Sequence, residues 1–215
     1  TIVIYNSDHG GVMPRSKRFL FNNSIHCPLI VRIPEKYKHL WPGETPGTTV
    51  NRIVSFIDMP KTWLALAGAK IPTEMQGRVF LGPRQDTERE FHVAYRGRMD
   101  ERCDNSRAVR DKQFLYIRNF MPYVPRGQYL TYLWKAQATA AWESHHRAGK
   151  TDAVTSRFFR NKPVEELYDT TQDPYCIKNL AGSAEHQEVR EKMRGRLRQW
   201  QAEHYDAAVL PEAEM

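Results

Sequence analysis

Residues Tyr5–Lys17 read YNSDHGGVMPRSK, and the apolar run Thr1-Ile2-Val3-Ile4-Tyr5 leads into them. A short, continuously apolar, β-branched run is the habit of a strand buried on both faces, as in parallel sheets covered by helices. Such a strand delivers its C-terminal residues to the rim where α/β proteins place ligands. Asp8 and His9 stand just past that end, and Gly10 and Gly11 let the backbone turn where a side chain would crowd. A carboxylate and an imidazole at one strand tip are metal-ligand types. The plain alternative gives Asp8 a turn hydrogen bond and leaves His9 in solvent; the strand before and the glycines after favour the ligand pair.

Leu29–Ile33 repeats the strand pattern, and Asn51–Ile57 is a third candidate. Asp58 is expected to cap a helix that tolerates Pro60 in its first turn, continues through Leu64, Leu66 and Ala67, and closes at Gly68. Gly77 to Pro83 reads as a connection, and the composition shifts beyond it. Glu90–Tyr95 and Arg107–Ile117 alternate and carry Phe, Val and Tyr, as antiparallel strands do. Gln128–Arg147 predicts a helix, Glu165–Asp169 a short extended piece, and Asp173-Pro174 a turn. Ser183 then caps an amphipathic helix with Val189, Met193, Leu197, Trp200 and His204 on its docking face. The expected architecture is α/β: residues 1–85 form the edge of an α/β domain and residues 86–215 a smaller α+β module.

The chain has 215 residues, 40% hydrophobic and 27% charged, enough for one sizeable core. No stretch approaches the roughly 20 apolar residues of a membrane helix. It opens on a strand-like run, and this abrupt start is expected to mean that upstream residues are missing, so the compartment stays open. Cys27, Cys103 and Cys176 are odd in number and far apart, which argues against a zinc knuckle or a disulfide framework. The net charge is +7, of which +6 falls in residues 1–85, with no Lys/Arg tract. That distribution suits attraction of a small anion better than nucleic acid, which is not expected as a partner.

After Lys17 the chain runs Phe19-Leu20-Phe21-Asn22-Asn23-Ser24-Ile25-His26 and then Cys27-Pro28-Leu29-Ile30-Val31-Arg32-Ile33-Pro34. Ser7 to Pro34 resembles the second half of a sulfatase of the alkaline-phosphatase-like superfamily, which ends a core strand with S-D-[NH]-G, follows it with a lysine loop, and continues with V-P-L-I-V-x-x-P. Val54-Ser55-Phe56-Ile57-Asp58-Met59-Pro60-Lys61-Thr62 is similar to its helix start. Glu166-Leu167-Tyr168-Asp169, Asp173-Pro174 and Asn179-Leu180-Ala181 are similar to its tail. The resemblance implies the C-terminal part of that fold, with Asp8 and His9 as ligands of a divalent cation. Ca2+ is usual in the family; Mg2+, Mn2+ or Zn2+ are the other choices. It implies that Lys17 touches the sulfate group, a catalytic role. Physical logic agrees, since sulfate ester cleavage needs positive charge on the non-bridging oxygens.

Sulfatases of this kind use a formylglycine made in a [CS]-x-[PA]-x-R motif upstream of S-D-H-G, expected here in the missing N-terminal part. Cys103-Asp104-Asn105-Ser106-Arg107 has Asn where Pro or Ala belongs. Ser106-Arg107-Ala108-Val109-Arg110 matches formally, but it follows the metal motif and opens a strand pattern, so it reads as a decoy. His145-His146 is expected in solvent near a helix end. His26 is a candidate to line the cleft. The run Tyr95–Arg102 resembles a charged stretch that sulfatases place beside the active-site mouth. There Arg98 would grip an anionic group and Asp100 would accept from sugar hydroxyls; the alternative is a solvated loop with internal ion pairs.

The expected function is a sulfuric ester hydrolase acting on an anionic small molecule or a sugar sulfate, with this stretch inactive by itself. A phosphodiesterase or phosphomutase of the same superfamily, using zinc or manganese, is the second reading. It has no need of the Lys17 loop or of Pro28–Pro34. A non-catalytic fragment is the third. Oligomeric state is left open.

Overall fold

The computed structural model describes residues 1–11, 13–43, 45–98 and 101–210. In chain order its elements are β1 (Val3–Asn6), α1 (Asn22–Ile25), β2 (Leu29–Arg32), α2 (Asp58–Leu66), β3 (His92–Arg96), β4 (Ser106–Arg110), β5 (Phe114–Asn119), α3 (Thr131–Trp134), α4 (Gln137–Arg147), β6 (Glu165–Asp169) and α5 (Gln187–Glu203). The chain divides into two compact units that interleave in sequence. One holds Thr1–Asn6 and Pro28–His92; the other holds Ser7–Cys27 and the residues from Val93 on.

In the first unit β1 and β2 pair antiparallel, with Tyr5 opposite Ile30 and Ile4 opposite Val31. Parallel strands buried on both faces were expected here. Instead Val3, Tyr5 and Ile30 are 53%, 61% and 62% exposed, because pairing in a two-stranded ribbon covers strand edges and leaves this face without a packed layer. Asn51–Ile57 is not a strand: its amides are taken by carboxylates, Ile53 N–H by Glu88 at 3.2 Å and Ser55 N–H by Asp58 at 2.8 Å. Asp58 is therefore not the cap of α2 but its first residue, following Ile57. Its buried carboxylate also accepts Arg78 N–H at 2.8 Å and pairs with Arg89. Thr62, fully buried one turn on, donates to the Asp58 carbonyl at 2.8 Å and accepts Phe80 N–H at 3.2 Å. The helix closes as expected, with Gly68 N–H and Ala69 N–H capping the Ala65 and Leu64 carbonyls.

The second unit is built on a sheet in the order β3-β4-β5-β6, with β4/β5 and β5/β6 antiparallel. Leu115 and Ile117 share one face of β5. There they meet Phe19, Leu20, Phe21, Leu130, Leu133, Phe158 and Tyr168 in the core. Helix α5 packs against β4 and β5 and buries Met193 and Leu197. Ser183 caps not α5 itself but a 3₁₀ turn, Ala184–His186, that precedes it. The helix expected over Gln128–Arg147 is two helices, broken where Ala136 is extended. Alanine favours helix, so packing sets the break: Leu130 and Leu133 are buried, and Trp134 Nε1–H donates to Glu143 on α4 at 2.5 Å.

Two expectations follow from the first unit. Burial, with Arg89 adding repulsion, pulls the His92 imidazole down to about 4 from 6.5. The unfolded chain therefore binds the proton between these values and the folded chain does not. Stability should fall as pH drops from about 6.5 to 4, by about 3 kcal/mol in all, and the fall should be shallower in His92→Gln. Denaturant melts of both proteins across that window measure the difference. Tyr5 and Ile30 form an exposed apolar cross-strand pair beside open strand edges, a template for association. Tyr5→Thr/Ile30→Thr should lower light scattering of concentrated protein while shifting Tm by only a few degrees.

Candidate active site

The S-D-H-G turn is held by its own atoms. Ser7 Oγ–H donates to the His9 carbonyl, and Gly10 N–H donates to the Ser24 carbonyl at 3.1 Å. A Cβ at Gly10 would lie 1.5 Å from the Asn23 carbonyl oxygen, so no other residue fits there without moving the backbone. Gly11 sits at φ 116°, a conformation L side chains rarely adopt. Its N–H donates to His9 Nδ1 at 3.0 Å, which leaves the ring proton on Nε2, facing Asp8 Oδ1 at 3.5 Å. Asp8 is 84% exposed and His9 21%. The two predicted ligands are thus brought side by side. Two donors at about 2.1–2.5 Å from one cation, at a right angle, stand about 3.0–3.5 Å apart, so the pair fits as part of a metal shell. Among the described residues no group of three or more His, Cys, Asp or Glu is arranged to hold a metal ion.

Lys17 lies in a loop pinned on both sides. Asn23 Nδ2 donates to Ser16 Oγ at 2.9 Å, and Ser24 Oγ donates to the Arg15 carbonyl at 3.1 Å. Arg15 reaches the Tyr175 and Cys176 carbonyls at 3.0 and 3.3 Å, and Asn22 Nδ2 reaches the Pro174 carbonyl at 3.2 Å. The turn that follows Asp173 is therefore a buttress of the lysine loop. Arg18 holds a left-handed backbone, φ 69°, a conformation uncommon outside glycine. Its guanidinium donates to the Arg102 carbonyl at 3.1 Å, and Arg102 Nε donates to the Tyr129 carbonyl at 2.9 Å. Glu101 accepts Thr131 N–H at 2.5 Å, and the Lys17 ammonium lies 5.5 Å from the centre of the Tyr132 ring. Lys17 is in this way joined to the far end of the charged loop predicted at Tyr95–Arg102.

Arg98 is exposed and donates to the Leu210 carbonyl at 2.8 Å; Asp100 lies outside the described residues. His26 is exposed at the end of α1. Burial and the Asp8 carboxylate push the Cys27 thiol up, away from thiolate character. Asp104, Ser106 and Arg107, from the two motif-like stretches, have structural tasks. Asp104 pairs with Arg96 at 3.1 Å and Lys162 at 2.6 Å, all buried. Ser106 Oγ donates to Asn119 at 2.8 Å from inside β4. Arg107 grips Asp206 through two bonds of 2.7 Å. Arg15 and Tyr132 were not read from the sequence as site residues. Tyr132, on α3, is 40% exposed and lies beside Lys17.

Residues 13–124 match the family described as N-sulphoglucosamine sulphohydrolase, C-terminal. An ulvan-active sulfatase of Formosa agariphila is 36% identical over 218 residues, covering 100% of this chain and 35% of the relative. An N-acetylglucosamine-6-O-sulfatase of Bacteroides thetaiotaomicron is 23% identical, covering 96% of this chain and 31% of its own length. Among solved structures, a 2-O GAG sulfatase superposes with a TM-score of 0.63 at 19% identity, over 96% of this chain and 37% of that one. The chain thus spans about a third of the length of these proteins. With an α/β fold shared with sulfatases and a family match over more than half its residues, it belongs to the sulfatase family, in the part described as the sulphohydrolase C-terminal region.

Proposed function

We propose that the whole protein containing this chain hydrolyses sulfate esters on a sulfated carbohydrate. In this reading the chain supplies two ligands of a divalent cation, Asp8 and His9, and the sulfate-contacting Lys17. The observation that carries it is the S-D-H-G turn, which sets carboxylate and imidazole 3.5 Å apart on a glycine frame that no other residue could form. The relatives matched over nearly the whole chain, an ulvan-active and an N-acetylglucosamine-6-O-sulfatase, support a carbohydrate substrate, while relatives named arylsulfatase K match less than half of it.

Asp8 Oδ1 and His9 Nε2 would hold the cation, usually calcium in this family, which supplies positive charge to the sulfate oxygens. Further ligands and a formylglycine nucleophile belong to the rest of the protein in this proposal. To offer Nε2 to a cation, the His9 ring would carry its proton on Nδ1, and Nδ1 would then no longer accept the Gly11 N–H. Lys17 places an ammonium against the developing anionic charge, and Tyr132 limits the positions its flexible stem can take. Arg98, Asp100 and His26 are proposed to face the sugar. A phosphodiesterase built on the same turn remains the competing chemistry.

In the whole protein, Lys17→Ala should lower kcat/KM for a sulfated N-acetylglucosamine by about 10²–10³ and leave the metal content unchanged. Asp8→Asn/His9→Ala should lose the metal by elemental analysis. Tyr132→Ala should cut kcat/KM by about tenfold. Calcium addition should shift the Gly11 amide resonance. Faster turnover of a phosphodiester than of the sulfate ester, with zinc or manganese bound, would reverse the assignment. Arg98→Glu should raise KM for a charged sugar sulfate and spare a small aryl sulfate; equal loss on both would remove the loop from sugar recognition.

A further inference from the structure

A cleft of about 260 Å³ opens in the second unit between α5 and the face of β5 that points away from Leu115 and Ile117. Tyr116, Arg118 and Phe120 line it from the sheet side. Arg194, Leu197, Arg198 and Gln201, spaced for one helix face, line it from α5. We infer that this cleft is an anion subsite that takes one sulfated ring of a carbohydrate chain through Arg118 and Arg198.

The three arginines are not equivalent. Arg194 is spent: it holds Glu165 through two bonds of 2.7 and 2.5 Å and reaches Glu191 at 2.8 and 2.6 Å. Tyr116 adds its hydroxyl to Glu165. Arg194 and Tyr116 hold the Glu165 carboxyl down to about 2, so this wall stays an ion pair at any physiological pH. Arg118 and Arg198 are different. Among the described residues neither forms an ion pair at contact distance: Arg118 stands across the sheet from Glu165 and feels its charge, but the Glu165 carboxylate is held by Arg194, and the Arg118 guanidinium lies 5.8 Å from the Phe120 ring centre. One guanidinium comes from the sheet side and one from α5, and guanidinium groups are suited to bidentate binding of an oxyanion.

The remaining lining suits a sugar. Phe120 offers an aromatic edge. Gln201 gives its amide N–H to Asp206 at 3.1 Å, which leaves its carbonyl oxygen for a hydroxyl. The volume lies below the roughly 300–1,000 Å³ of pockets for drug-sized ligands, so a single ring fits and a dinucleotide does not. Net positive charge in a concave site raises the local concentration of anions. The subsite is separate from the Lys17 loop, and binding there does not require that hydrolysis occur.

The test uses the whole protein with labelled leucine methyl groups, because Leu197 lines the cleft. The probes are a 6-O-sulfated N-acetylglucosamine disaccharide, its desulfated counterpart and sodium sulfate. The Leu197 methyl should shift with the sulfated disaccharide, at least tenfold more weakly with the desulfated one, and not at all in Arg118→Gln/Arg198→Gln. Arg118→Lys/Arg198→Lys, which keeps the charge, should restore part of the response, and all variants should melt within a few degrees of the parent. No shift with any probe overturns the subsite. Equal response to both disaccharides, or a response to sodium sulfate that the sugar does not strengthen, overturns the sulfated-ring assignment. Kinetically, the Gln double variant should raise KM about fivefold or more for a polymeric sulfated substrate and leave a monosaccharide sulfate unchanged. A silent enzyme with an intact Leu197 response would refute hydrolysis and leave the subsite standing.

Discussion

The seating of Phe19-Leu20-Phe21 in the core of the second unit is the constraint on which the lysine loop depends. All three side chains are buried, and only Arg18 separates them from Lys17. Each buried aromatic ring is worth about 2–3 kcal/mol against exposure, so the loop cannot lift without exposing them. Phe21 lies under two cations: the Arg15 guanidinium is 4.0 Å and the Arg126 guanidinium 4.8 Å from its ring centre. Arg126 is itself paired with buried Glu166 on β6. Glu166 is fully committed, since it also accepts from Asn119 at 2.7 Å and from the Tyr168 hydroxyl at 2.6 Å. Removing one partner would strand a buried charge, a loss of about 3–5 kcal/mol. A chain of contacts thus runs from the last strand of the sheet to the loop that carries Lys17.

That chain gives the separated motifs a common physical reason. Glu166-Leu167-Tyr168-Asp169 supplies the carboxylate and the ring, as Phe21 and Tyr168 meet edge to face at 6.3 Å. Asp173 accepts Ile177 and Lys178 N–H at 2.6 and 2.7 Å, shaping the turn whose carbonyls receive Arg15 and Asn22. Asn179 accepts Leu167 N–H at 2.9 Å and donates to the Glu165 carbonyl at 3.1 Å, continuing the ladder along β6. Distant pieces of sequence recur together because they build one support for one loop.

Much of this was legible in the sequence, and the failures have identifiable causes. The glycines after Asp8-His9 announced a turn that other residues could not make, and the contact between Gly10 and Asn23 is why. Alternation marked β3 and the run Arg107–Ile117, which the structure divides into β4 and β5 at a turn; Glu165–Asp169 was read only as extended, and the spacing of Met193 and Leu197 marked α5. The apolar runs at Thr1 and Leu29 were correctly strands but wrongly buried and parallel, since an apolar run carries no record of how many neighbours cover it. Asp58 had the residue type of a cap, but its carboxylate turns instead to Ser55, Arg78 and Arg89, partners up to 31 residues away. The helix expected over Gln128–Arg147 failed for a similar reason: helical periodicity assumes an unbroken helix, and the break at Ala136 is set by tertiary contacts with no local signal.

Charge shows the same limit most clearly. A net +7 says that anions are attracted, but not where. Pairing decides that. Arg89, Arg96, Arg107, Arg126 and Lys162 each meet a buried carboxylate, so their positive charges are cancelled within the fold and hold it together. Lys17 has a ring beside it, and the cleft pair Arg118 and Arg198 make no ion pair at contact distance among the described residues, although Arg118 stands across from Glu165, which Arg194 already holds. A cation cancelled by a buried partner has little field left for a substrate, while one held over an aromatic face keeps most of its charge and loses only its freedom of position. An aromatic neighbour alone does not set such a residue apart, since Arg96 and Arg126 also lie near rings; what separates the two groups is whether a buried carboxylate is paired with the cation, and that distinction exists only once the chain is folded.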